Sequence, residues 1–409
     1  MKLTGKIKCE DLAIFGGNPV FPEKLHVGKP NIGDRKNLMN RLEQVLDRRW
    51  LTNNGECVKE FEKKITETCG VKHCIAVCNG TIGLEIVIRA LGWSGEVIIP
   101  SFTFVATAHA LRWQQIDPVF ADVHLETHNI DHTSVEKKIT SRTSGIIGVH
   151  LWGQPCDTDS LKWVAKKYGL GLMFDAAHSF GCSIGGQMVG SFGDAEVFSF
   201  HATKFVNSLE GGAIVTNNDE LAKKCRLMTN FGFLGFDNVG YVGTNGKMNE
   251  FSAAMGLTSL ESMAKFITIN QKNYQTYRDK IGSIPGLSIL DPGIHALSNY
   301  QYIIINVDPN IFPISRNGLL DILWAENVIA RRYFYPGVHR MEPYCSEQRG
   351  RNNDLVITNK VADRIIVLPT GQCIDEIAII KISEIIKLAI LNCKKINVKC
   401  NALPFGIHW

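Results

Sequence analysis

The run LGLMFDAAHS at residues 170–179 decides the fold once it is set beside HCIAVCNG (73–80), EVIIP (96–100), DPVFADV (117–123) and SGIIGVHLWG (144–153). Each contains a short apolar stretch with no polar face left for water. Between them lie TIGLEIVIRALG (81–92), VATAHALRWQ (105–114), SVEKKIT (134–140) and TDSLKWVAKKYG (158–169), whose apolar residues recur at helical spacing. Runs of about five β-formers, apolar on both faces and separated by helical patterns, predict stacked β-α units around a largely parallel sheet. Two further strands, in AEVFSFHATK (195–204) and GGAIVTNN (211–218), bring the number to seven, and DELAKKCRLMTNFG (219–232) follows as a helix.

Past the sheet the pattern changes. FSAAMGLTSLESMAKFITINQKNYQTY (251–277) reads as one continuous helix, long enough to join two units. After it, YQYIIINVD (300–308), NGLLDILWAENVIA (317–330) and DEIAIIKISEIIKLAIL (375–391) predict a smaller α+β domain. The expected division is an N-terminal arm and large domain over 1–265 and a small C-terminal domain over 266–409.

Bulk properties narrow the function. A chain of 409 residues with 45% hydrophobic and 21% charged content suits a soluble globular protein of two or three units. The net charge of +4 is dispersed, with no basic block of the kind that tracks phosphate backbones, so nucleic acid is not an expected partner. No apolar stretch of membrane-spanning length and no secretion signal is present, so a cytoplasmic protein without a membrane partner is expected. The twelve cysteines are scattered without a CxxC pair, which predicts reduced, packed thiols rather than a disulfide or zinc framework.

In an open parallel sheet, ligands lie beyond the carboxyl ends of the strands. Four strand ends carry unusual residues. Asn79-Gly80-Thr81-Ile82 puts a glycine and a hydroxyl at a strand-to-helix junction, where free N–H groups favour an anion, although Thr81 serves equally well as a helix cap. Pro100-Ser101-Phe102-Thr103-Phe104 places rings where they either stack on a flat ligand or pack in the core. Asp175 follows five apolar residues, and a carboxylate buried there needs a cationic partner or firm hydrogen bonds. Ser199 and Lys204 follow the strand in FSFHATK, and a lysine so placed can have a lowered pKa and act as an amine nucleophile. Anion site, stacking ring, buried acid and nucleophilic lysine together describe a pocket for pyridoxal 5′-phosphate (PLP).

The combined motifs resemble the DegT/DnrJ/EryC1/StrS sugar aminotransferases, a branch of the fold-type-I PLP enzymes. The resemblance runs from FGGNPVFPEKLHVGKP (15–30) and WLTNNGECVKEFEKK (50–64) through NGTIGLE, IPSFTFVATAHA, DAAHSFG, FSFHATK and EGGAIVTN to GTNGKMNEFSAAMG (243–256) and RRYFYPGVHR (331–340). It implies that Lys204 holds PLP covalently, Asp175 pairs with the pyridinium nitrogen and His178 lies near the ring hydroxyl. Phe104 would stack on the ring, while Gly80, Thr81, the Ile82 N–H and Ser199 would hold the phosphate. Asn245 would reach the phosphate in the partner subunit of a homodimer with composite sites, and Lys247 stands where an arginine is more usual. Some relatives replace the lysine and dehydrate their substrate; Lys204 keeps this chain with the transaminases. The implied reaction takes an amino group from glutamate, through pyridoxamine phosphate, to a dTDP- or UDP-linked 4-keto-6-deoxyhexose, giving a 4-amino-4,6-dideoxy sugar of the viosamine type for glycan biosynthesis. Members acting on 3-keto sugars are the alternative, and a non-catalytic PLP- or sugar-nucleotide-binding regulator is the alternative of another class. Tyr333, Tyr335 and Arg332 are expected at the sugar-nucleotide entrance, though packing and surface charge would account for them too.

Overall fold

The computed structural model describes residues 3–293, 296–347 and 354–402. Seven strands form one sheet: β1 (His73–Val77), β2 (Glu96–Pro100), β3 (Asp117–Ala121), β4 (Thr143–Val149), β5 (Gly171–Asp175), β6 (Ala195–Ser199) and β7 (Gly212–Thr216). Their order is β1-β7-β6-β5-β4-β2-β3. All neighbours are parallel except β7, which runs antiparallel to both β1 and β6. The seven expected strands all form.

Alternation along each strand shows why the runs are apolar throughout. Ile75, Val77, Val97, Ile99, Ile147, Met173, Val197 and Ile214 point to one face. There they meet α3 (Gly80–Ala90), α4 (Val105–Arg112) and α7 (Asp219–Thr229). Their neighbours Cys74, Ala76, Phe198, Ala213 and Val215 point to the other face, against α2 (Glu56–Cys69) and α8 (Glu250–Glu261), with α1 (Arg35–Arg48) packed on α8. Further along that face, Ile98, Ile146, Leu172 and Phe174 meet α5 (His132–Lys138) and α6 (Thr158–Tyr168). The sheet is therefore covered on both sides, as a parallel sheet requires.

The single long helix expected over 251–277 is two. The first, α8, ends at Ser262, and α9 (Met263–Ile281) begins directly after it. Ser262 leaves helical geometry (φ −96°, ψ 1°), and its hydroxyl donates to the Thr258 carbonyl at 3.2 Å. A serine that bonds the backbone this way competes with the helical ladder.

Beyond α9, strands β8 (Leu287–Ile289), β9 (Ile303–Val307) and β10 (Ile365–Leu368) form an antiparallel sheet in that order. Its core contains Tyr277, Leu319, Leu323, Ile366, Ile382 and Ile386, together with Cys9, Leu12 and Phe21 from the start of the chain. Buried Glu326 fixes this arm by accepting the Ala13 and Val20 N–H groups, each at 2.8 Å, and by pairing with Lys6 at 3.1 Å. All twelve cysteines are free thiols. Among the described residues no helix is long and apolar enough to cross a membrane.

Candidate active site

The unusual residues meet beyond the carboxyl edge of the sheet. Asp175, the last residue of β5, is 7% exposed. Its Oδ2 accepts the Thr107 hydroxyl at 2.8 Å and its Oδ1 accepts the Ala177 N–H at 3.1 Å. Thr107 lies in the first turn of α4, so the helix that follows β2 supplies a donor to the end of β5, two places along in the sheet. Burial pushes the Asp175 carboxyl above its usual range, and the two hydrogen bonds and then Lys204 act against it. Both hydrogen-bond donors are neutral, so the acid still has capacity for a cation.

Lys204 sits in the turn after β6, where its N–H donates to the His201 carbonyl at 2.8 Å. The stem is partly exposed, but the amine is enclosed and donates to the Tyr302 hydroxyl at 3.3 Å. Burial lowers its pKa to about 8, with Asp175 opposing the shift. An amine so placed is partly neutral near physiological pH, the form that attacks a carbonyl.

His178 is buried beside the Tyr302 ring, 4.4 Å between centroids, with Trp152 and Phe334 at 5.5 and 5.9 Å. Burial, and then the Lys204 charge, depress its pKa well below the ordinary value, so the ring is neutral. Its Nδ1 is buried with no hydrogen-bond partner. A buried polar atom left unpaired is costly, and it points to a ligand that completes it.

The anion cradle differs in one detail from the expectation. Asn79 caps α3, and its side chain accepts the Ile82 N–H at 2.8 Å. The Ile82 N–H is therefore already taken, and Thr81 is not the cap. The N–H groups of Gly80 and Thr81 lie in the first turn, beyond reach of any intrahelical acceptor. Ser199, ending β6, lies against this turn: a Cβ on Gly80 would sit 3.2 Å from the Ser199 Cβ. Gly212, paired with Ser199 across the sheet, also approaches so closely that a Cβ there would come within 2.7 Å of the Gly80 nitrogen. Only a glycine leaves that space for the turn.

Phe104 is the residue before α4 and is 58% exposed. It lines a cleft of about 410 Å³ with Arg331, Arg332, Tyr333, Phe334 and Tyr335. Its ring lies 6.2 Å from Phe334, which in turn contacts His178. The cleft therefore opens beside the Lys204 pocket, and Tyr333, Tyr335 and Arg332 stand on its wall. The Arg332 guanidinium lies 4.6 Å over the Tyr335 ring. Asn245 is exposed, and its loop is tied to the end of β1 by the Cys78 N–H, which donates to the Gly246 carbonyl at 2.7 Å. Lys247 in the same loop donates to Asn230 Oδ1 at 2.8 Å. Neither Asn245 nor Lys247 contacts Lys204 or Asp175 through a described hydrogen bond.

Sequence reasoning missed Thr107 and Tyr302, and it gave the capping role of Asn79 to Thr81. Thr107 had a signal, since it stands one helical turn beyond Phe104 in the same strand-end motif. Tyr302 had none, because it reaches Lys204 from just before β9, 98 positions along the chain.

The fold and this constellation define a PLP-dependent aminotransferase. The chain belongs to the DegT/DnrJ/EryC1/StrS aminotransferase family, whose model matches residues 33–387. It is 39% identical to a dTDP-4-amino-4,6-dideoxy-D-glucose transaminase of Shigella dysenteriae over 86% of this chain and 94% of that one. A transaminase of the same name from Escherichia coli is 34% identical, over 88% of this chain and 97% of that one. The solved structure of DesI in the presence of its TDP-sugar product superposes with a TM-score of 0.92, at 44% identity, covering 96% of this chain and 99% of that one.

Proposed function

We propose that this enzyme moves an amino group from glutamate to C4 of a nucleotide-linked 4-keto-6-deoxyhexose, giving a 4-amino-4,6-dideoxyglucose. The observation that carries the reading is the near end-to-end likeness to two transaminases named for that sugar, over a chain that keeps both the lysine and the buried acid. A soluble, cytoplasmic enzyme of glycan biosynthesis follows from this reading.

The residues fit PLP. Asp175 would hold the ring nitrogen, His178 the ring hydroxyl, Phe104 the ring face, and Gly80, Thr81 and Ser199 the phosphate. Bound there, the cofactor supplies a conjugated ring that takes up the electron pair left when the amino donor loses its Cα proton. Asp175 keeps the ring nitrogen protonated by charge, in a site where burial strengthens the pairing. Lys204, with its amine near neutrality, would hold the cofactor and, once free, would take the Cα proton of the amino donor. Tyr302, from the small domain, orients that amine through its hydroxyl. Arg332, Tyr333 and Tyr335 would receive the sugar nucleotide in the cleft, between the large domain and a small domain spanning about residue 266 onward.

We also propose a homodimer in which Asn245 completes the partner's phosphate site. Next to this loop, the hairpin around 231–242 exposes Phe231, Phe233, Leu234, Phe236 and Val239 together. An apolar cluster of that kind suits a surface covered in the assembled protein.

The test is incubation of purified enzyme with glutamate and dTDP- or UDP-linked 4-keto and 3-keto 6-deoxyhexoses, with products identified by NMR. A 4-amino product from the 4-keto sugar is expected. A 3-amino product would move the reaction to C3, and cofactor binding without turnover on any sugar would favour a regulator.

A further inference from the structure

The loop between β3 and α5 gathers side chains that transamination does not use. It reads DVHLETHNID over 122–131 and runs into His132. The backbone is closed on itself by bonds from His124 N–H to the Asn129 carbonyl (2.9 Å), His128 N–H to the His124 carbonyl (2.9 Å) and Asp131 N–H to the Asp122 carbonyl (3.0 Å). Asn129, 2% exposed, donates to the carbonyls of Gln154 and Pro155 and accepts the Leu151 N–H, each at 3.1 Å. The loop is thus held in shape before any ligand arrives.

Three histidines recur here at four-residue spacing, but they do not share a role. His128 is turned inward, and its Nδ1 accepts the Trp152 indole N–H at 3.2 Å. His124 and His132 face each other, 6.4 Å between ring centroids. One ring nitrogen of each and a carboxylate oxygen of Asp131 all lie within 4.8 Å of one another. Ligands on a tetrahedral zinc ion are about 3.3 Å apart, a distance that small rotamer changes reach from here. The His132 Nδ1 is shut away from solvent with no hydrogen-bond partner, although the rest of the residue is only half-buried. An imidazole nitrogen left so is unusual unless a bond forms through that ring.

We propose that His124, His132 and Asp131 form a binding site for a first-row divalent cation of the zinc class, with water completing its shell. Two imidazoles and a carboxylate suit zinc better than calcium or magnesium, which prefer all-oxygen shells. The helix end that Asp131 caps carries partial positive charge, so the ion relies on the two imidazoles as well as on that carboxylate. The ion would brace the loop that holds His128 against Trp152, whose indole lies 5.5 Å from both His178 and Phe334.

The test uses the untagged full-length holoenzyme, treated with a chelator and then dialysed. Exposed Cys345 and Cys373 are first replaced by serine, because free thiols also bind zinc. Calorimetric titration with zinc should show one saturable site per chain, weakened at least tenfold in His132→Gln and in His124→Gln. Thermal melts should show a zinc-dependent rise in the parent that both variants lack, while their zinc-free melting temperatures stay close to the parent's. Cobalt should give visible bands of a nitrogen and oxygen shell without sulfur charge transfer. Absence of saturable binding in the parent, equal affinity in both variants, or a cobalt spectrum with sulfur ligation would overturn the proposal.

Discussion

A lysine amine brought down to about 8 by burial has a measurable consequence at the residue scale. Lowering the pKa of a base enlarges its neutral fraction on the acidic side of the ordinary lysine range, so covalent capture of PLP by the apoenzyme should rise through pH 8 and level off above it. Absorbance of the captured cofactor reads this directly, and a midpoint near that of an ordinary lysine, about 10.4, would contradict it. Lys204→Ala should abolish both capture and turnover. Tyr302→Phe removes an acceptor that favours the charged amine, so the midpoint should fall below 8 and kcat should drop roughly tenfold with KM little changed. Asp175→Asn should still bind the cofactor through the phosphate and ring contacts, yet lose on the order of 10²–10⁴-fold in turnover. Normal turnover in that variant would remove Asp175 from its role. Lys204 and Asp175 were legible in sequence because each follows a run of apolar residues that fixes where a strand ends. Tyr302 was not, since it faces Lys204 only after segments 98 residues apart have packed together.

At the scale of elements, buried Glu250 at the start of α8 serves a different helix. Its two oxygens accept the Cys57 and Val58 N–H groups at 2.9 and 3.0 Å, closing the first turn of α2. Gly55, the residue before α2, leaves the room: a Cβ there would meet the Glu250 carboxyl carbon at 2.4 Å. Glu250→Ala should therefore cost about 2–3 kcal/mol of stability by leaving buried donors unpaired, seen as a lower denaturation midpoint with an unchanged slope. Asn79→Ala removes the cap of α3 and should cost about 1 kcal/mol. It also releases the Ile82 N–H toward the cradle, so phosphate binding should suffer less than helix stability. The strands could be read from the sequence because burial on both faces leaves no ambiguity of period. The Ser262 break and the Asn79 cap could not, because both depend on one side chain choosing a backbone partner that neighbouring residues also offer.

For the whole molecule, the proposed composite sites make a prediction that single variants do not. Mixing inactive Lys204→Ala chains with inactive chains carrying Asn245→Trp should restore about one working site per mixed dimer, since both lesions fall in one pocket. No recovery despite demonstrated subunit exchange would mean that each chain builds its own site. Phe236→Asp, on the exposed hairpin, should shift the protein toward monomer in light scattering. The change of pattern that follows the seventh strand was visible in the sequence, and it is the basis for expecting a second unit from about residue 266. The docking of residues 9–21 onto the C-terminal core was not, because nothing local marks Glu326 as their anchor. The strand order has a further consequence during synthesis. In the main sheet β1 pairs only with β7, which leaves the ribosome about 140 residues later, a delay of roughly 7–30 s at ordinary elongation rates. Through that interval the nascent chain carries an unmated apolar strand and an unfinished cradle, so the cofactor meets a formed site only late in translation, and the waiting segment is the natural client of a chaperone.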